Sequence, residues 1–318
     1  MEEGTLLPAE LPVRNGRVYH LDLAPHELAS NVLVVGDPER VPFLSDEFLA
    51  ERETDRCNRG LRTITGHVRE TGQRVTITTS GMGAPSMEIV VNELVALNEF
   101  NLSTGRRKES FEPLTVVRVG TSGGLQADTE LGSLIVTDYG VGLDNTGLYY
   151  DAPLHDAECG LLERRVRSLI EETIPPDVRF RGRFHPYAVR ADCRVRVALE
   201  REALHLGVPC RRGATVTSPG FFAEQGRSIG RVAPTVPNLA DLMASVDTGI
   251  PGLKMENMEM EASILLHLMG AFGYRAGVVC VVINKCTEGT FLTDYREPVR
   301  KAALVALRAF RVLGPGTD

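Results

Sequence analysis

The chain has no tryptophan, and only 6% of its 318 residues are aromatic. The missing tryptophan by itself decides nothing, but other absences do. No apolar stretch is long enough to cross a bilayer, and the start, Met1-Glu2-Glu3-Gly4-Thr5, lacks the basic and apolar parts of a secretory leader. Neither a membrane span nor a signal peptide is expected. The six cysteines (57, 159, 193, 210, 280 and 286) form no CxxC pair and no metal-like cluster with histidine. In a chain of this length they read as reduced core thiols of a cytoplasmic protein, with no metal site. The net charge is −7 and basic residues are scattered, which argues against nucleic acid or an anionic membrane as partner. There is no internal repeat and no low-complexity tract.

What is present is a regular alternation of apolar segments. With 43% hydrophobic residues, the chain can bury one large core or two small ones. Residues 31–35 are a short continuous apolar run closed by Gly36-Asp37-Pro38, as in a buried strand feeding a turn. Strands are expected near 61–70, 73–79, 114–119, 133–137, 184–190, 212–217 and 276–283. Helical spacing covers 85–100, 155–172, 195–205, 240–246, 260–272 and 297–313. Residues 1–20 and 101–113 read as loops. Strands alternating with helices up to the C-terminus imply a single α/β domain with a largely parallel or mixed sheet.

Cationic or N–H donor groups recur at the ends of these expected strands. Gly36-Asp37-Pro38-Glu39-Arg40 offers a glycine turn followed by an arginine. Residues 79–86 are a glycine-rich turn leading into a helix. Arg59 follows Asn58 in a short polar stretch. Arg118 lies inside a valine-rich strand, which is costly unless an anion pairs with it. That anion is either an internal carboxylate or a ligand. Thr121 and Ser122 add hydroxyls beyond Gly120, and such a mixture suits phosphate. None of the glycine turns matches a Walker loop or a full dinucleotide fingerprint, so a nucleotide-binding signature is lacking.

Two further segments suggest a sugar and a base. Glu259 and Glu261 flank Met260 where an apolar helix is expected to begin. A helix start accommodates one acid. Two acids, two residues apart on a helix, face different ways, and an inward carboxylate needs donors such as sugar hydroxyls. Residues 217–227 leave a strand and stay irregular, carrying Phe221, Phe222, Gln225 and Arg227. A flat apolar wall beside a glutamine and an arginine complements a ring with an N–H between two carbonyls, which describes uracil. The alternative is a core phenylalanine beside a solvated polar pair.

Taken in order, these motifs make the chain resemble the nucleoside phosphorylase family, most closely its uridine-cleaving branch, from about Val18 to the last helix. The resemblance implies a single-domain three-layer α/β/α sandwich with a central mixed sheet over 18–318, preceded by an N-terminal extension, 1–17. It implies phosphate ligands Gly36, Arg40, Arg59, Arg118 and Thr121. It implies base ligands Phe221, Gln225 and Arg227, and ribose ligands His20, Glu259, Met260 and Glu261, with Glu261 on the 2′- and 3′-hydroxyls. His20 and Arg59 would be lent across an interface, so a homo-oligomer built from dimers, a hexamer, is expected. Gly60 stands where relatives with a monovalent-cation site carry glutamate, so that ion is not expected.

The implied reaction is phosphorolysis of uridine, with deoxyuridine or thymidine as further substrates, to uracil and (deoxy)ribose 1-phosphate. Phosphate is the co-substrate and no cofactor is required. Arg118, Glu261, Gln225 and Arg227 would carry catalysis. Rivals are a purine nucleoside phosphorylase or a nucleosidase of the same fold, and a silent nucleoside-binding protein. Asn284, where a purine enzyme would place an acid, and the Gln225/Arg227 pair favour the pyrimidine. The retained arginines favour phosphate over water.

Overall fold

The structure, a computed structural model, describes residues 5–314 except Thr287. Residues 1–4 of the expected extension and 315–318 of the expected domain lie outside them. The N-terminal segment is not plain loop: β1 (Val13–Arg14) and β2 (Arg17–Val18) form a small hairpin. Buried Glu27 ties it to the body, accepting from Arg17 and Arg56 and, at 2.9 Å, from the Ala24 N–H. Burial alone would push the Glu27 carboxyl up, but these donors bring it down to about 2. A carboxyl held below its ordinary 4.5 contributes stability that is complete above that pH and is lost as pH falls toward 2. Glu27→Gln is therefore expected to cost about 1–3 kcal/mol at pH 7. It should flatten the loss of stability between pH 5 and pH 2, as read from urea midpoints; a parallel shift at every pH would refute this.

The main sheet starts with β3 (Asn31–Val35), buried at every position as its apolar run requires. Helix α1 (Arg40–Phe48) follows the Gly36 turn. Strands β4 (Leu49–Asn58), β5 (Leu61–Val68) and β6 (Arg74–Thr79) then form an antiparallel meander that joins β3 through β6. β4 was not expected from sequence: its charged residues face solvent and leave no apolar alternation to detect. After α2 (Ala84–Glu99), the segment expected to be a solvated loop instead holds a second hairpin, β7 (Phe100–Asn101) with β8 (Arg106–Arg107).

The chain continues through β9 (Thr115–Gly124), β10 (Leu134–Gly142), α3 (Ala157–Thr173), β11 (Tyr187–Arg190), α4 (Cys193–His205) and β12 (Cys210–Thr217). It ends with α5 (Leu239–Ala244), β13 (Met255–Glu259), α6 (Ala262–Ala271), β14 (Arg275–Lys285), β15 (Thr290–Phe291) and α7 (Arg296–Leu313). The mixed sheet runs β15-β14-β10-β12-β13-β9-β3-β6-β5-β4, and β14 also pairs with β9. β9, β13, β12, β10 and β14 thus close on themselves, so the expected central mixed sheet is rolled at one end. One core cluster joins α2 and α6 to one face, and a second joins α1, α4 and α7 to the other. A third, around α3 and α5, covers the rolled end. All six cysteines are free; Cys159 and Cys280 are core thiols, but Cys57 and Cys193 are exposed.

Candidate active site

The carboxyl ends of β3, β6, β9, β12, β13 and β14 converge on one cleft of about 420 Å³. Ligands of open α/β sheets bind at such strand ends. Nine of the twelve expected site residues line it: Gly36, Arg40, Arg118, Thr121, Phe221, Gln225, Glu259, Met260 and Glu261. His20, Arg59 and Arg227 do not.

Arg40 is the first residue of α1, just beyond the β3 turn, where helix N–H groups add positive potential. Arg118, at the middle of β9, is 3% exposed. The internal carboxylate that the sequence left open as its partner is present twice. One Nη lies 3.1 Å from Glu259 Oε2, and the other donates to Glu261. Burial works against the guanidinium charge, but Glu261 and Glu259 outweigh it and keep Arg118 protonated. Its buried Nε has no hydrogen-bond partner among the described residues, which leaves one donor for an anion. Gly120 makes room for this arrangement, since a Cβ there would stand 1.9 Å from Arg118 Nη1.

The two glutamates are not on one helix, as the sequence suggested. Glu259 ends strand β13 and Glu261 is the N-cap of α6. A strand end and a cap two residues apart can address the same cleft, which two helical positions could not. Their tasks differ. Glu259 accepts from Thr217 Oγ1 at 2.6 Å and from the N–H groups of Glu261 and Ala262 at 2.8–3.0 Å, besides facing Arg118. This is the helix-start role, and it fills the carboxylate. Glu261 accepts from the Gly83 N–H at 2.5 Å and from Arg118. A carboxylate has about four acceptor sites, so Glu261 keeps capacity for a ligand. Burial pushes its carboxyl up, against the pull of Arg118, and the Glu259 charge adds to the rise.

At the base end, Gln225 is buried and its Nε2 donates to Ser218 Oγ at 3.0 Å and to the Gly220 carbonyl at 3.4 Å. Its donors are spent internally, so what it offers a ligand is its carbonyl oxygen. Arg227 sits behind the lining, its guanidinium carbon 3.7 Å over the Phe221 ring. A cation stacked on that ring stiffens the apolar wall.

His20 and Arg59 lie together elsewhere. Asn58 Nδ2 donates to the carbonyls of Tyr19 and His20 at 2.8 and 3.0 Å, and Arg59 stacks on Tyr19 at 5.6 Å. Met82, which the sequence did not single out, also lines the cleft, as does Asn284, which the sequence marked only as standing in place of an acid. Met82 is 82% exposed on the Gly81–Gly83 turn, and Asn284 is re-aimed by a register shift in β14. No periodicity announces either. His155, Asp156 and Cys159 gather at the start of α3, a histidine–cysteine group the sequence did not suggest. The Asp156 carboxylate is already engaged by the Cys159 N–H and by Arg190.

Comparison with known proteins is consistent with this geometry. Residues 31–313 match the model of the Phosphorylase superfamily. A uridine phosphorylase from Thermococcus kodakarensis is 30% identical over 308 residues, 96% of this chain and 90% of that one. A DeoD-type purine nucleoside phosphorylase from a Thermoanaerobacter species is 32% identical over 117 residues, 37% of this chain and 44% of that one. Among solved structures, a Trypanosoma brucei nucleoside phosphorylase described as showing uridine phosphorylase activity superposes with a TM-score of 0.84. It is 28% identical, with 95% of this chain and 99% of that one covered.

Proposed function

The chain belongs to the phosphorylase superfamily and is a nucleoside phosphorylase, a pentosyltransferase, and on that premise we propose that its preferred nucleoside is uridine. One observation carries this choice. Gln225 presents an acceptor to the cleft beside the apolar Phe221 wall, with the Arg227 guanidinium stacked on that ring, a pattern that suits the N–H and flat face of uracil. Asn284 is the cleft residue at the position where a purine-directed acid was weighed.

In this proposal inorganic phosphate is the co-substrate and neither a cofactor nor a metal takes part. Arg40, Arg118 and Thr121 hold the phosphate below the sugar, with Gly36 giving close backbone approach. Glu261 orients the ribose hydroxyls beside Met260, and Glu259 fixes Arg118 and the start of α6. As the bond from C1′ to the base breaks, positive charge grows on the ribose and negative charge on the uracil. Phosphate stabilises the first and Arg227 the second, interactions that strengthen toward the transition state.

His20 and Arg59 complete the site from a second copy. Their joint placement on one surface unit outside the cleft supports this, and a homo-oligomer built from such dimers, a hexamer, follows in the proposal. No described helix is long and apolar enough to cross a membrane, in keeping with a cytoplasmic enzyme.

A panel of uridine, deoxyuridine, thymidine, inosine and adenosine, each with phosphate, tests the substrate. Uridine is expected to give the highest kcat/KM. Arg227→Ala is expected to lower kcat/KM for uridine by about 10²-fold while changing the KM for phosphate less than about threefold. Faster cleavage of inosine or adenosine, or a collapse of phosphate affinity in Arg227→Ala, would overturn the base assignment.

A further inference from the structure

We propose that a second cavity, formed by α3, β11, α6 and the loop after β10, binds a small aromatic amine. This goes beyond the nucleoside phosphorylase reading and does not rest on it.

The cavity has a volume of about 490 Å³ and shares no lining residue with the nucleoside cleft. Small-molecule sites usually measure about 300–1,000 Å³. Leu148, Tyr150, Leu154 and Tyr187 give it apolar walls, and Glu163 and His267 supply polar groups. Leu148 and Leu154 are 52% and 56% exposed, so apolar surface is left there for a ligand to cover.

Most polar atoms along these walls are spent inside the protein. The Tyr187 hydroxyl donates to Asp144 Oδ2 at 2.8 Å and lies 3.0 Å from Ser263 Oγ. Gly142 and Gly147 make room for its ring, since a Cβ at either would stand 2.3 or 2.6 Å from Tyr187 Cζ. The Tyr150 hydroxyl donates to Glu88 and accepts from Asn92 Nδ2 at 2.9 Å. Both tyrosines therefore offer a ligand their rings and no donor. His155 faces Asp156, and one Glu163 oxygen accepts from the Ala188 N–H at 3.0 Å.

Two acceptors are left over. His267 Nε2 is buried and has no hydrogen-bond partner among the described residues, a state that calls for a reason in a native interior. Burial lowers the imidazole's pKa, against the pull of the Gly147 carbonyl on its other nitrogen. The ring is thus neutral at pH 7, with its proton on Nδ1 and Nε2 as a bare acceptor. The second Glu163 oxygen likewise engages no donor among the described residues. No lysine or arginine lines the cavity.

A ligand must therefore bring the donors. Positive charge suits the carboxylate and the faces of the two tyrosines, and a ring suits the apolar walls. An anion would meet a carboxylate and no cation. An ammonium group on a short arm from an aromatic ring has the required parts.

Calorimetric titration of the full chain with 2-phenylethylamine, 2-phenylethanol and phenylacetate tests the site. The amine is expected to bind once per chain with a Kd of about 1 mM or tighter. The alcohol and the anion should bind at least about tenfold more weakly, the scale of a charged hydrogen bond. E163Q should weaken the amine about tenfold and H267L about fivefold. Gly270 borders the cavity on α6, and a Cβ there meets no atom within 4 Å. G270L therefore intrudes on the cavity without crowding the fold. It is expected to abolish binding and to leave nucleoside turnover within about twofold of wild type.

Absence of binding by the amine would overturn the proposal. So would phenylacetate binding as tightly as the amine, or full affinity in E163Q or in G270L. Calorimetry needs no turnover, so failure of the uridine assignment and failure of this one are read separately.

Discussion

Arg118→Ala is expected to lower kcat/KM for phosphorolysis by about 10³-fold or more, and to destabilise the protein by about 3–5 kcal/mol. Both effects come from one guanidinium. In the resting protein it is the cation paired with both Glu259 and Glu261, each almost fully buried. Its removal leaves two carboxylates close together with no counter-charge, and breaking a buried pair costs far more than the pair's net contribution. In the proposed reaction its charge holds the phosphate and steadies the anion opposite the forming ribosyl cation. Arg118→Lys keeps the charge but cannot bridge both glutamates, so it should recover much of the stability and little of the rate. Steady-state kinetics with urea denaturation would check this. Activity within tenfold of wild type in a folded Arg118→Ala would place the phosphate elsewhere.

The second large effect separates the two glutamates. Glu261→Ala is expected to lower kcat/KM by about 10²–10³-fold, because sugar orientation is a large part of a bound reaction's advantage. Glu259 remains to pair Arg118, so the loss of stability should be modest. Glu259→Ala is expected to do the reverse first. It removes the acceptor for two N–H groups at the start of α6 and for Thr217 Oγ1. The lost cap costs about 1–2 kcal/mol, and Thr217 Oγ1 loses its acceptor, while Glu261 remains to pair Arg118. Melting temperatures and kinetics on both variants decide the matter. Should Glu259→Ala be as stable as wild type and the less active of the two, the roles are exchanged.

How much of this was legible in the sequence depended on the range of the interaction. Residues 31–35 formed a strand with the bounds their apolar run implied, and the long amphipathic last helix, Arg296–Leu313, began within a residue of its expected start. β4 escaped because a largely exposed strand carries no apolar alternation. The two-residue strands of β7 and β8 are too short to leave a pattern in a polar segment. The closure of β9 onto β14 joins residues about 160 positions apart in register, and no local pattern records it.

The site followed the same rule. Nine of the expected residues met in one cleft because they lie on, or a short way beyond, strands whose pattern is local. The division of labour between Glu259 and Glu261 depends on Thr217, Gly83 and Arg118, all distant in sequence. The internal use of the Gln225 amide was likewise hidden in the Ser218 and Gly220 contacts.

The central claim is that the cleft passes a ribosyl group from base to phosphate. The most direct measurement is uracil release from uridine by the purified protein with saturating phosphate and in phosphate-free buffer, with ribose 1-phosphate assayed in parallel. The account requires release with phosphate, in equal amounts with ribose 1-phosphate, and none above background without it. Equal release in both buffers, or uracil accompanied by free ribose, would contradict it.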